Sequence, residues 1–472
     1  MSTRILGPFN RVEGDLEVSL EIAEGRIDAA YVNSPLYRGF EQMLPGKNPM
    51  DALVIVPRIC GICSVSQSAA AARALRELMG LTPPPNGVLA EQLVTACENL
   101  ADHLTHFYLF FMPDFARPSY QHRAWFPRLA ARFKAVAGSA AADVLPARSS
   151  FMQLMGLMAG KWPHTLSLQP GGSARPLEQA EVLRLIALLR SFRRFLERHT
   201  FGDALESVAA LDSLAALHRW RAGHSGDLAL FLEAAFELKL ESVGRGTDRF
   251  LSYGAYENFP AGIWDAGLAT FDAAAVVEDL SSAWMAGGTQ PPAHGVTEPL
   301  LDKPGAYSWC KAPRYNGQVM ETGALARQMV AGHPLLRELV AASGGSVLAR
   351  VLARLLELAL VLPRMEAWAQ QLAPGQPWCD HGTLPDQGSA MGLVEAARGA
   401  LGHWVSVRQG RIHNYQIIAP TTWNFSPRDA AGVPGALEQA LAGMTVGPDD
   451  PMPVAVQHVV RSFDPCMVCT VH

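Results

Sequence analysis

Two Cys-x-x-Cys pairs lie near opposite ends of the 472-residue sequence. The first pair, Cys60 and Cys63, follows an arginine, and the second, Cys466 and Cys469, follows an Asp-Pro dipeptide. Proline after an acidic residue is typical of a helix start, so we expect Cys466 at a helix N-terminus. There the free amides and the helix dipole favour a thiolate. Each pair can hold a metal ion with two sulfurs, and together they predict a four-thiolate metal site.

The spacing of the two pairs leaves several metals open. Two Cys-x-x-Cys pairs often form a structural zinc site, but such pairs usually lie about 15–20 residues apart, whereas these are 403 residues apart. An iron–sulfur cluster or another soft-metal site fits as well, because thiolate sites choose among zinc, iron and nickel by geometry. A thioredoxin-like dithiol needs a βαβ context, which surrounds neither pair.

Stretches of helical hydrophobic period fill the middle of the chain, between the two pairs. The predicted helices span 64–80, 87–112, 125–139, 176–198, 203–217, 226–238, 269–286, 321–342 and 345–371, with a last one at 434–443. The stretch 347–362 is the most apolar, but Arg350, Arg354 and Glu357 recur on one face. This polar stripe predicts an amphipathic core helix and no membrane insertion.

Period-two alternation predicts strands at both ends of the chain. Residues 16–22 and 27–31 form a predicted hairpin, and 404–407 and 412–418 are predicted strands. We therefore predict an α+β protein, predominantly α, with a large central helical bundle and small β-rich segments at both chain ends brought together around the metal site. The expected organisation is one domain, 1–472, with a β-rich part at 1–56, the bundle at 57–372 and a mixed part at 373–472.

The composition excludes some partners and compartments. A formal net charge of −5 and a pI near 6.3 give no basic surface for nucleic acid or anionic lipid. The 18% charged fraction is low for a large chain and indicates a surface partly covered by a partner. Seven cysteines are an odd count, and no secretory signal opens the sequence. We expect a cytoplasmic protein with reduced thiols.

The surroundings of the two pairs resemble those of one family. Arg-x-Cys-Gly-x-Cys near the N-terminus, with Asp-Pro-Cys-x-x-Cys-x-x-His at the C-terminus, is similar to the paired signature of nickel–iron hydrogenase large subunits. Further matching segments lie at 10–14, 38–41, 102–108, 398–399 and 419–424. The resemblance spans nearly the whole chain and implies reversible oxidation of H₂. It also implies nickel at Cys60, Cys63, Cys466 and Cys469, with Cys63 and Cys469 bridging to an iron that has carbon monoxide and cyanide ligands.

Two charged residues match the family's catalytic positions. A proton released from H₂ must leave through a base, and Glu13 matches the family's proton-relay glutamate. Arg398 matches the arginine whose permanently charged guanidinium overhangs the metals in relatives. Without the family, Glu13 reads as a solvated carboxylate on an edge strand and Arg398 as a helix-end charge. Asp102, His106 and Phe110 recur every four residues on one helical face, and we expect Asp102 to pair with Arg398.

The resemblance also assigns residues around the ligands. Thr421 would donate a hydrogen bond to a cyanide, with Pro420 and Gln67 beside the ligands. Asp464 would join this group or cap a helix. A second, harder metal is implied at the C-terminal histidine: magnesium held by Glu41, the Ile417 carbonyl and His472, with waters completing the shell. Its task would be to pin the tail that contains the second cysteine pair.

Three features depart from the energy-conserving members of the family. Gln67 stands where most relatives have histidine, and Ile62 and Phe110 are bulkier than the usual valine and leucine along the gas channel. The chain also stops at His472, whereas most members are made with an extension that a protease removes. These features resemble the regulatory, hydrogen-sensing group. Added bulk would narrow the channel against oxygen more than against H₂, although Ile and Phe at such positions are also ordinary core residues.

The sequence therefore predicts a regulatory nickel–iron hydrogenase large subunit that senses H₂ and oxidises it at a low rate. Its expected partners are an iron–sulfur small subunit, a histidine kinase and metal-insertion maturation proteins. An energy-conserving uptake hydrogenase and a non-catalytic zinc-stabilised scaffold are the alternatives. The remaining candidates for chemistry are predicted to be structural, namely 378–381, Cys97, Cys310, His103 and His164.

Overall fold

The computed structural model describes residues 2–447 and 452–472. Met1 and 448–451, which fall within the predicted N-terminal and C-terminal parts, lie outside the described residues. About 47% of the chain is helical and about 19% is in strands. The prediction of a mixed protein in which helix predominates is confirmed.

The strands form small antiparallel sheets. They are β1 (Ser2–Leu6), β2 (Glu17–Ala23), β3 (Arg26–Asn33), β4 (Leu168–Gln169), β5 (Gly172–Ser173), β6 (Arg249–Ala255), β7 (Phe259–Asp265), β8 (Leu268–Ala269), β9 (Val276–Asp279), β10 (Ala312–Tyr315), β11 (Gln387–Ala396), β12 (Gly399–Arg408) and β13 (Arg411–Ile418). The sheets have the orders β1-β2-β3, β4-β5, β6-β7-β8, β10-β9 and β11-β12-β13. The predicted hairpin is β2–β3, and its alternation buries Val18, Leu20 and Ile22 on one face.

The helices form the body of the molecule. They are α1 (Phe40–Met43), α2 (Ala52–Ile55), α3 (Ser64–Met79), α4 (Pro85–Thr105), α5 (Phe126–Phe133), α6 (Ala140–Ala159), α7 (Gln179–Phe195), α8 (Leu205–Ala209), α9 (Leu214–Gly223), α10 (Asp227–Glu237), α11 (Ala324–Ala331), α12 (Pro334–Ser343), α13 (Val347–Gln371), α14 (Pro420–Asn424), α15 (Ala436–Leu441), α16 (Val454–Ser462) and α17 (Met467–Thr470). Helices α4, α6, α7 and α13 pack on one another, and α3 packs on the β11–β12 hairpin. The bundle thus holds α3 and α4 beside the C-terminal sheet.

The polar stripe of α13 does not face water. Arg350, Arg354 and Glu357 are all buried, and Arg350 Nε donates to Glu321 Oε1 at 2.8 Å. The stripe is therefore matched by internal ion pairs, which lets a helix with three charges lie in the core. Among the described residues, no helix combines the length and apolarity that crossing a bilayer requires.

The middle of the chain is not purely helical, and one predicted helix is wrong. Residues 269–286 contain β9, which pairs with β10, instead of a helix. Consecutive β-branched residues at Val276 and Val277 favour a strand once a partner strand is available. The sheet β6-β7-β8 and the helices α6 and α16 were also not predicted. The segment predicted as a helix at 321–342 is divided at Gly332 into α11 and α12.

The two ends of the chain meet, as predicted. The amide of Ile27 on β3 donates to the carbonyl of Met444 at 2.9 Å. Farther along, Glu13 and Cys466 form an isolated parallel bridge. The N-terminal segment and the C-terminal tail therefore lie side by side next to the first turn of α3.

Candidate metal centre

The structure brings the two cysteine pairs together. The sulfurs of Cys60, Cys63, Cys466 and Cys469 all lie within 4.8 Å of one another, and the four residues are buried. The Sγ–Sγ distance is 3.4 Å between Cys60 and Cys466, 3.1 Å between Cys63 and Cys469, and 3.0 Å between Cys466 and Cys469. One sulfur cluster is thus built from segments 403 residues apart in sequence.

Helix starts position one cysteine of each pair. Cys63 is the N-cap residue of α3, and Cys466 is the N-cap residue of the short α17. Helix α17 begins at Met467, so the prediction that Cys466 lies at a helix N-terminus is correct. The residue before the Pro-Cys sequence, Asp464, has a left-handed φ of 56° and turns the tail into the site.

The thiol chemistry of the cluster suits a bound metal. Hydrogen bonds from the other thiols hold the pKa of Cys60 well below its usual range. Hydrogen bonding to the other thiols raises the pKa of Cys63, and burial raises that of Cys466. The protein alone therefore keeps part of the cluster protonated, and a metal ion that displaces these protons relieves the crowding. Four buried sulfurs fit nickel, iron or zinc.

Arg398 lies between two carboxylates next to this cluster. Its Nη1 is 2.8 Å from Asp102 Oδ2, and its Nη2 is 3.0 Å from Asp464 Oδ1. Burial raises the pKa of Asp102 to about 8. Burial also works against the ionisation of Asp464, but the Arg398 guanidinium holds the pKa of that carboxyl below its usual range. No side chain caps α17, so Asp464 acts as a partner of Arg398 and not as a helix cap.

A tight hairpin aims Arg398 at the site. Ala396 on β11 pairs with Gly399 on β12, which leaves a two-residue turn with Arg398 at its tip. Gly399 has a φ of 127°, and a Cβ there would lie 2.4 Å from Thr322 Oγ1. Only glycine fits this close approach. Arg398 is therefore a hairpin-tip charge and not the helix-end charge that its sequence alone allowed.

Glu13 lies beside the tail. Its amide donates to the Pro465 carbonyl at 3.3 Å, and its carbonyl accepts from the Met467 amide at 2.7 Å. Burial and the neighbouring Cys60 raise the pKa of the half-buried Glu13 carboxyl, and Arg398 works in the opposite direction. It lies outside the strands, so it is not on an edge strand. A carboxyl with a raised pKa near a thiol can accept and release a proton.

Thr421 and Pro420 open α14 against the second cysteine pair. Pro420 is the first residue of that helix, and Thr421 Oγ1 accepts from the Cys466 amide at 3.1 Å. The hydroxyl proton of Thr421 remains available for another acceptor.

The predicted magnesium residues meet in a second buried cluster. His472 Nε2 is 3.4 Å from Glu41 Oε1, which also accepts from the Ile417 amide at 2.7 Å. Ile417 thus contacts Glu41 through its N–H and not through its carbonyl. Lys311 Nζ lies 2.7 Å from Glu41 Oε2. Burial works against ionisation, but Lys311 and His472 lower the pKa of Glu41 to about 2.

The donor set of this second cluster fits a hard cation. His472 Nδ1 donates to the Cys469 carbonyl, and its Nε2 faces the Glu41 carboxylate. A buried carboxylate and an imidazole nitrogen that converge in this way can hold a hard cation. Sequence reasoning missed Lys311 and Glu278, whose carboxylate is 3.3 Å from Lys311 Nζ, because neither residue stands in a distinctive local pattern.

Arg38 begins the matched segment 38–41, and the sequence alone indicated no role for it. Its guanidinium donates to the carbonyls of Ile59 and Val468, which precede a cysteine of each pair. Its backbone amide donates to the Val471 carbonyl at 3.0 Å. Arg38 therefore connects the two ligand segments. Its place next to Glu41 in the matched segment 38–41 was the available signal.

Gln67 and the gas-channel pair lie at different depths. Gln67 is buried, and His403 Nε2 lies 2.8 Å from its Oε1. Ile62 and Phe110 are partly exposed, and Ile62 packs against the main core. Phe110 lies in a π-helical turn, His106–Phe111, that follows α4. That Phe110 shares a helical face with Asp102 stays a prediction.

The other candidates have internal contacts. Cys97 and Cys310 are buried free thiols, His103 Nε2 lies 3.2 Å from Glu357, and His164 Nδ1 lies 3.0 Å from the Pro57 carbonyl. Residues 378–381 form a backbone bridge with Gly172 through Cys379. A Cβ on Gly171 would lie 2.0 Å from the carbonyl of Asp380. This close backbone packing is a structural role.

Comparisons with known proteins agree with this geometry. The model of the family described as nickel-dependent hydrogenase matches residues 38–124 and 112–472. The chain is 29% identical to the periplasmic [NiFeSe] hydrogenase large subunit of Desulfomicrobium baculatum, over 99% of this chain and 94% of that protein. It is 26% identical to the hydrogenase-2 large chain of Escherichia coli strain K12, over 100% and 97% of the two chains. The Ni-Fe-Se hydrogenase structure from D. vulgaris Hildenborough superposes over all of both chains with a TM-score of 0.85 and 28% identity.

Proposed function

Because the chain belongs to the nickel-dependent hydrogenase family, we propose that it is the large subunit of a regulatory nickel–iron hydrogenase that senses H₂. Family membership makes it a nickel-dependent enzyme that oxidises H₂. The sensing role and the low turnover are the proposed refinement.

The observation that carries the catalytic assignment is the convergence of four buried cysteine sulfurs beside Arg398 and Glu13. The four cysteines would hold nickel, and Cys63 and Cys469 would also hold the iron; these metals would supply the chemistry that splits H₂. Glu13 would take the proton from a cysteine sulfur and pass it toward the surface. Its raised pKa brings its proton affinity closer to that of a thiol, which favours transfer.

Thr421 and Arg398 would hold the carbon monoxide and cyanide ligands of the iron in place, and neighbouring residues would support these two. The Thr421 hydroxyl has its proton free to donate to a cyanide, since its oxygen already accepts from the Cys466 amide. Arg398 supplies a permanent positive charge next to an anionic cluster, and Asp102 holds its guanidinium from the other side. Asp464 and Pro420 fix the backbone on which these groups stand.

We also propose that Glu41, Ile417 and His472 would hold magnesium. Lys311, which pairs with Glu41 and Glu278, lies beside this site. Buried carboxylate and imidazole groups, with a carbonyl, suit a hard cation of this kind. The cluster holds the last residue of the tail that contains Cys466 and Cys469. A cation there would keep the second cysteine pair in place.

Three residues favour a sensor. Gln67 replaces the usual histidine one helical turn after Cys63, and its side chain accepts from His403. Ile62 and Phe110 add bulk along the proposed gas channel, which would hinder oxygen more than H₂. The specific alternative is an energy-conserving uptake hydrogenase. Similarity to uptake enzymes, among them the uptake hydrogenase large subunit of Azotobacter chroococcum mcd 1, favours it.

Electrons must leave through another chain. Among the described residues, the four cysteines are the sole group of three or more His, Cys, Asp or Glu side chains placed to hold one metal ion, so we propose an iron–sulfur small subunit as the electron carrier. Arg38 and His164 contact the carbonyls of Ile59 and Pro57, just before Cys60. Each has an exposed apolar residue two positions away, Leu36 and Leu166. These positions suit a covering partner. A histidine kinase and maturation proteins complete the proposed partners, and the odd cysteine count supports a cytoplasmic location.

Metal analysis and infrared spectroscopy test the assignment together. We expect nickel and iron in equal amounts, with bands for carbon monoxide and cyanide. Zinc alone, without these bands, would support the scaffold alternative. For the sensing role, kinase phosphorylation should respond to H₂ at a turnover far below that of an uptake enzyme. Fast turnover without any kinase response would support the uptake alternative, and Gln67→His is the variant that should move the protein toward it.

A further inference from the structure

The first turn of α3 needs a hydrogen-bond acceptor that its own N-cap residue does not supply. The first amides of a helix have no partner within the helix, and a Ser, Thr, Asp or Asn at the N-cap position usually accepts from them. Here the N-cap residue is Cys63, and it makes no side-chain cap hydrogen bond. Its sulfur faces Cys469 at 3.1 Å instead. A ligand cysteine at this position leaves the helix start without its usual cap.

A carboxylate on the neighbouring helix takes that place. Glu98 on α4 is 3% exposed. Its Oε2 accepts from the Val65 amide at 2.8 Å, and its Oε1 accepts from the Ser66 amide and hydroxyl, both at 2.9 Å. Val65 and Ser66 are the second and third residues of α3, whose amides an N-cap side chain would bind.

The same carboxylate meets only donors. Trp162 Nε1 donates to Glu98 Oε2 at 3.0 Å. Among the described residues, the four hydrogen-bond donors to Glu98 are thus three N–H groups and one O–H group. Among the residues that the structure describes, no lysine, arginine or histidine forms an ion pair with it. Burial raises the pKa of Glu98 to about 7, and the hydrogen bonds from these donors work in the opposite direction. A buried carboxyl group with four donors therefore lies at the start of α3, where the donors and the helix dipole favour its ionised form.

We propose that Glu98 is a positioning residue that caps α3 in trans and places a buried carboxyl group at the helix start that Cys63 begins. This inference rests on the proposed nickel–iron site. The trans cap leaves the sulfur of the N-cap residue free to bind metal while the helix start stays ordered. In its ionised form the carboxylate offsets the positive end of the helix dipole, so that Cys63 remains a strong electron donor to the metals. Glu98 thus adjusts the electron density of the centre without touching it.

Three substitutions separate charge from hydrogen bonding. Glu98→Gln keeps the size and removes the charge, Glu98→Asp keeps the charge on a shorter side chain, and Glu98→Ala removes both. In Glu98→Gln we expect nickel and iron to be retained, the carbon monoxide and cyanide bands to shift to higher wavenumber, and the nickel reduction potential to become more positive. Glu98→Asp should return the bands toward their wild-type positions.

A buried carboxylate elsewhere on α4 provides the matched control. Glu91 is buried and ion-paired with Arg73 and Arg76, two turns before Glu98. Glu91→Gln should leave the bands and the potential unchanged, even if it lowers stability. If the carbon monoxide and cyanide bands of Glu98→Gln match those of the wild type, the electronic role of Glu98 is overturned. If the wild type itself lacks these bands, the proposed function is contradicted.

Hydrogen exchange on the metal-free chain tests the cap independently of the metals. In Glu98→Ala the amides of Val65 and Ser66 should exchange faster than in the wild type, and Glu98→Gln should show a smaller increase because one oxygen remains. Unchanged protection of both amides in Glu98→Ala overturns the capping role, whatever metal the full protein binds.

Discussion

Two buried polar clusters flank α4, and they differ in how fully their groups are satisfied. In one, Arg327 donates to Glu357 through two nitrogens, at 2.8 and 3.0 Å, and to Glu395 at 2.7 Å. The remaining N–H groups of Arg327 reach backbone carbonyls, and His103 lies 3.2 Å from Glu357. In the metal centre, by contrast, the four sulfurs mainly contact one another.

The difference separates a structural cluster from a functional one. A buried network in which a guanidinium is fully paired with carboxylates and carbonyls fixes the packing of the elements that supply it. A set of buried soft donors that face one another has capacity left for a metal. The clusters are also connected along the chain: His103 follows Asp102, and the Arg327 nitrogens hold the carbonyls of Ala396 and Ala397 directly before Arg398. The satisfied cluster thus holds the hairpin tip that presents Arg398.

The largest effect should come from removing a sulfur. Cys469→Ala is expected to abolish nickel binding and all measurable H₂ oxidation, because the ligand set loses a member that no neighbouring group can replace. Cys97→Ala, a buried free thiol outside the centre, should retain nickel and most activity. Metal analysis and an H₂-oxidation assay measure both. Nickel retained by Cys469→Ala at wild-type level would contradict the site.

A smaller loss is expected at the proton relay. Glu13→Gln should bind both metals normally yet lower H₂ oxidation by about 10²–10⁴-fold, since an amide cannot take up a proton. Hydrogen–deuterium exchange catalysed by the enzyme should fall in parallel. Asp15→Asn, an exposed carboxylate two residues away, is the control and should leave the rate unchanged. Exchange retained in Glu13→Gln would rule out the relay.

A substitution in the Arg327 cluster should lower stability far more than one in an exposed ion pair. Arg327→Met leaves two buried carboxylates without their cation and should lower the free energy of unfolding by about 3–5 kcal/mol. The exposed pair Arg123–Glu237 is the comparison: Arg123→Gln should change it by less than about 1 kcal/mol. Denaturant unfolding provides the measurement. Equal effects of the two substitutions would break the distinction between the clusters.

The same cluster predicts a dependence of stability on pH. Burial works against ionisation of Glu357, but Arg327 and His103 lower its pKa to about 2, from an ordinary value of 4.5. Its contribution, at most about 3 kcal/mol, is present above pH 4.5 and is lost as the pH falls from 4.5 toward 2. The difference in thermal stability between the wild type and Glu357→Gln should shrink over that window. A constant difference there would contradict this assignment.

The smallest effect concerns the proposed gas channel. Ile62→Val combined with Phe110→Leu should make H₂ oxidation more sensitive to oxygen while changing stability by no more than about 1.5 kcal/mol. The activity that remains after exposure to air, relative to the wild type, measures this. If the variant is no more sensitive to oxygen than the wild type, Ile62 and Phe110 do not narrow the gas channel and are only packing residues.

Local patterns predicted the elements whose stabilising contacts are close in sequence. The hairpin β2–β3 and the helices α3, α10 and α13 follow from alternation or helical period, and the structure confirms them. The helix predicted at 269–286 is wrong because its residues pair with β10, more than thirty positions later. A strand of this kind is defined by its distant partner, which hydrophobic period does not describe.

The sequence by itself determined the donor chemistry: two Cys-x-x-Cys pairs, a helix start at each, and a terminal histidine. Each of these depends on neighbouring residues, and one turn of backbone brings two sulfurs together. Only the tertiary structure decided that the pairs converge, that Arg398 lies between Asp102 and Asp464, and that Lys311 faces Glu41. These contacts join residues from 66 to 406 positions apart, so they arise from the packing of the whole chain around α4 and α13.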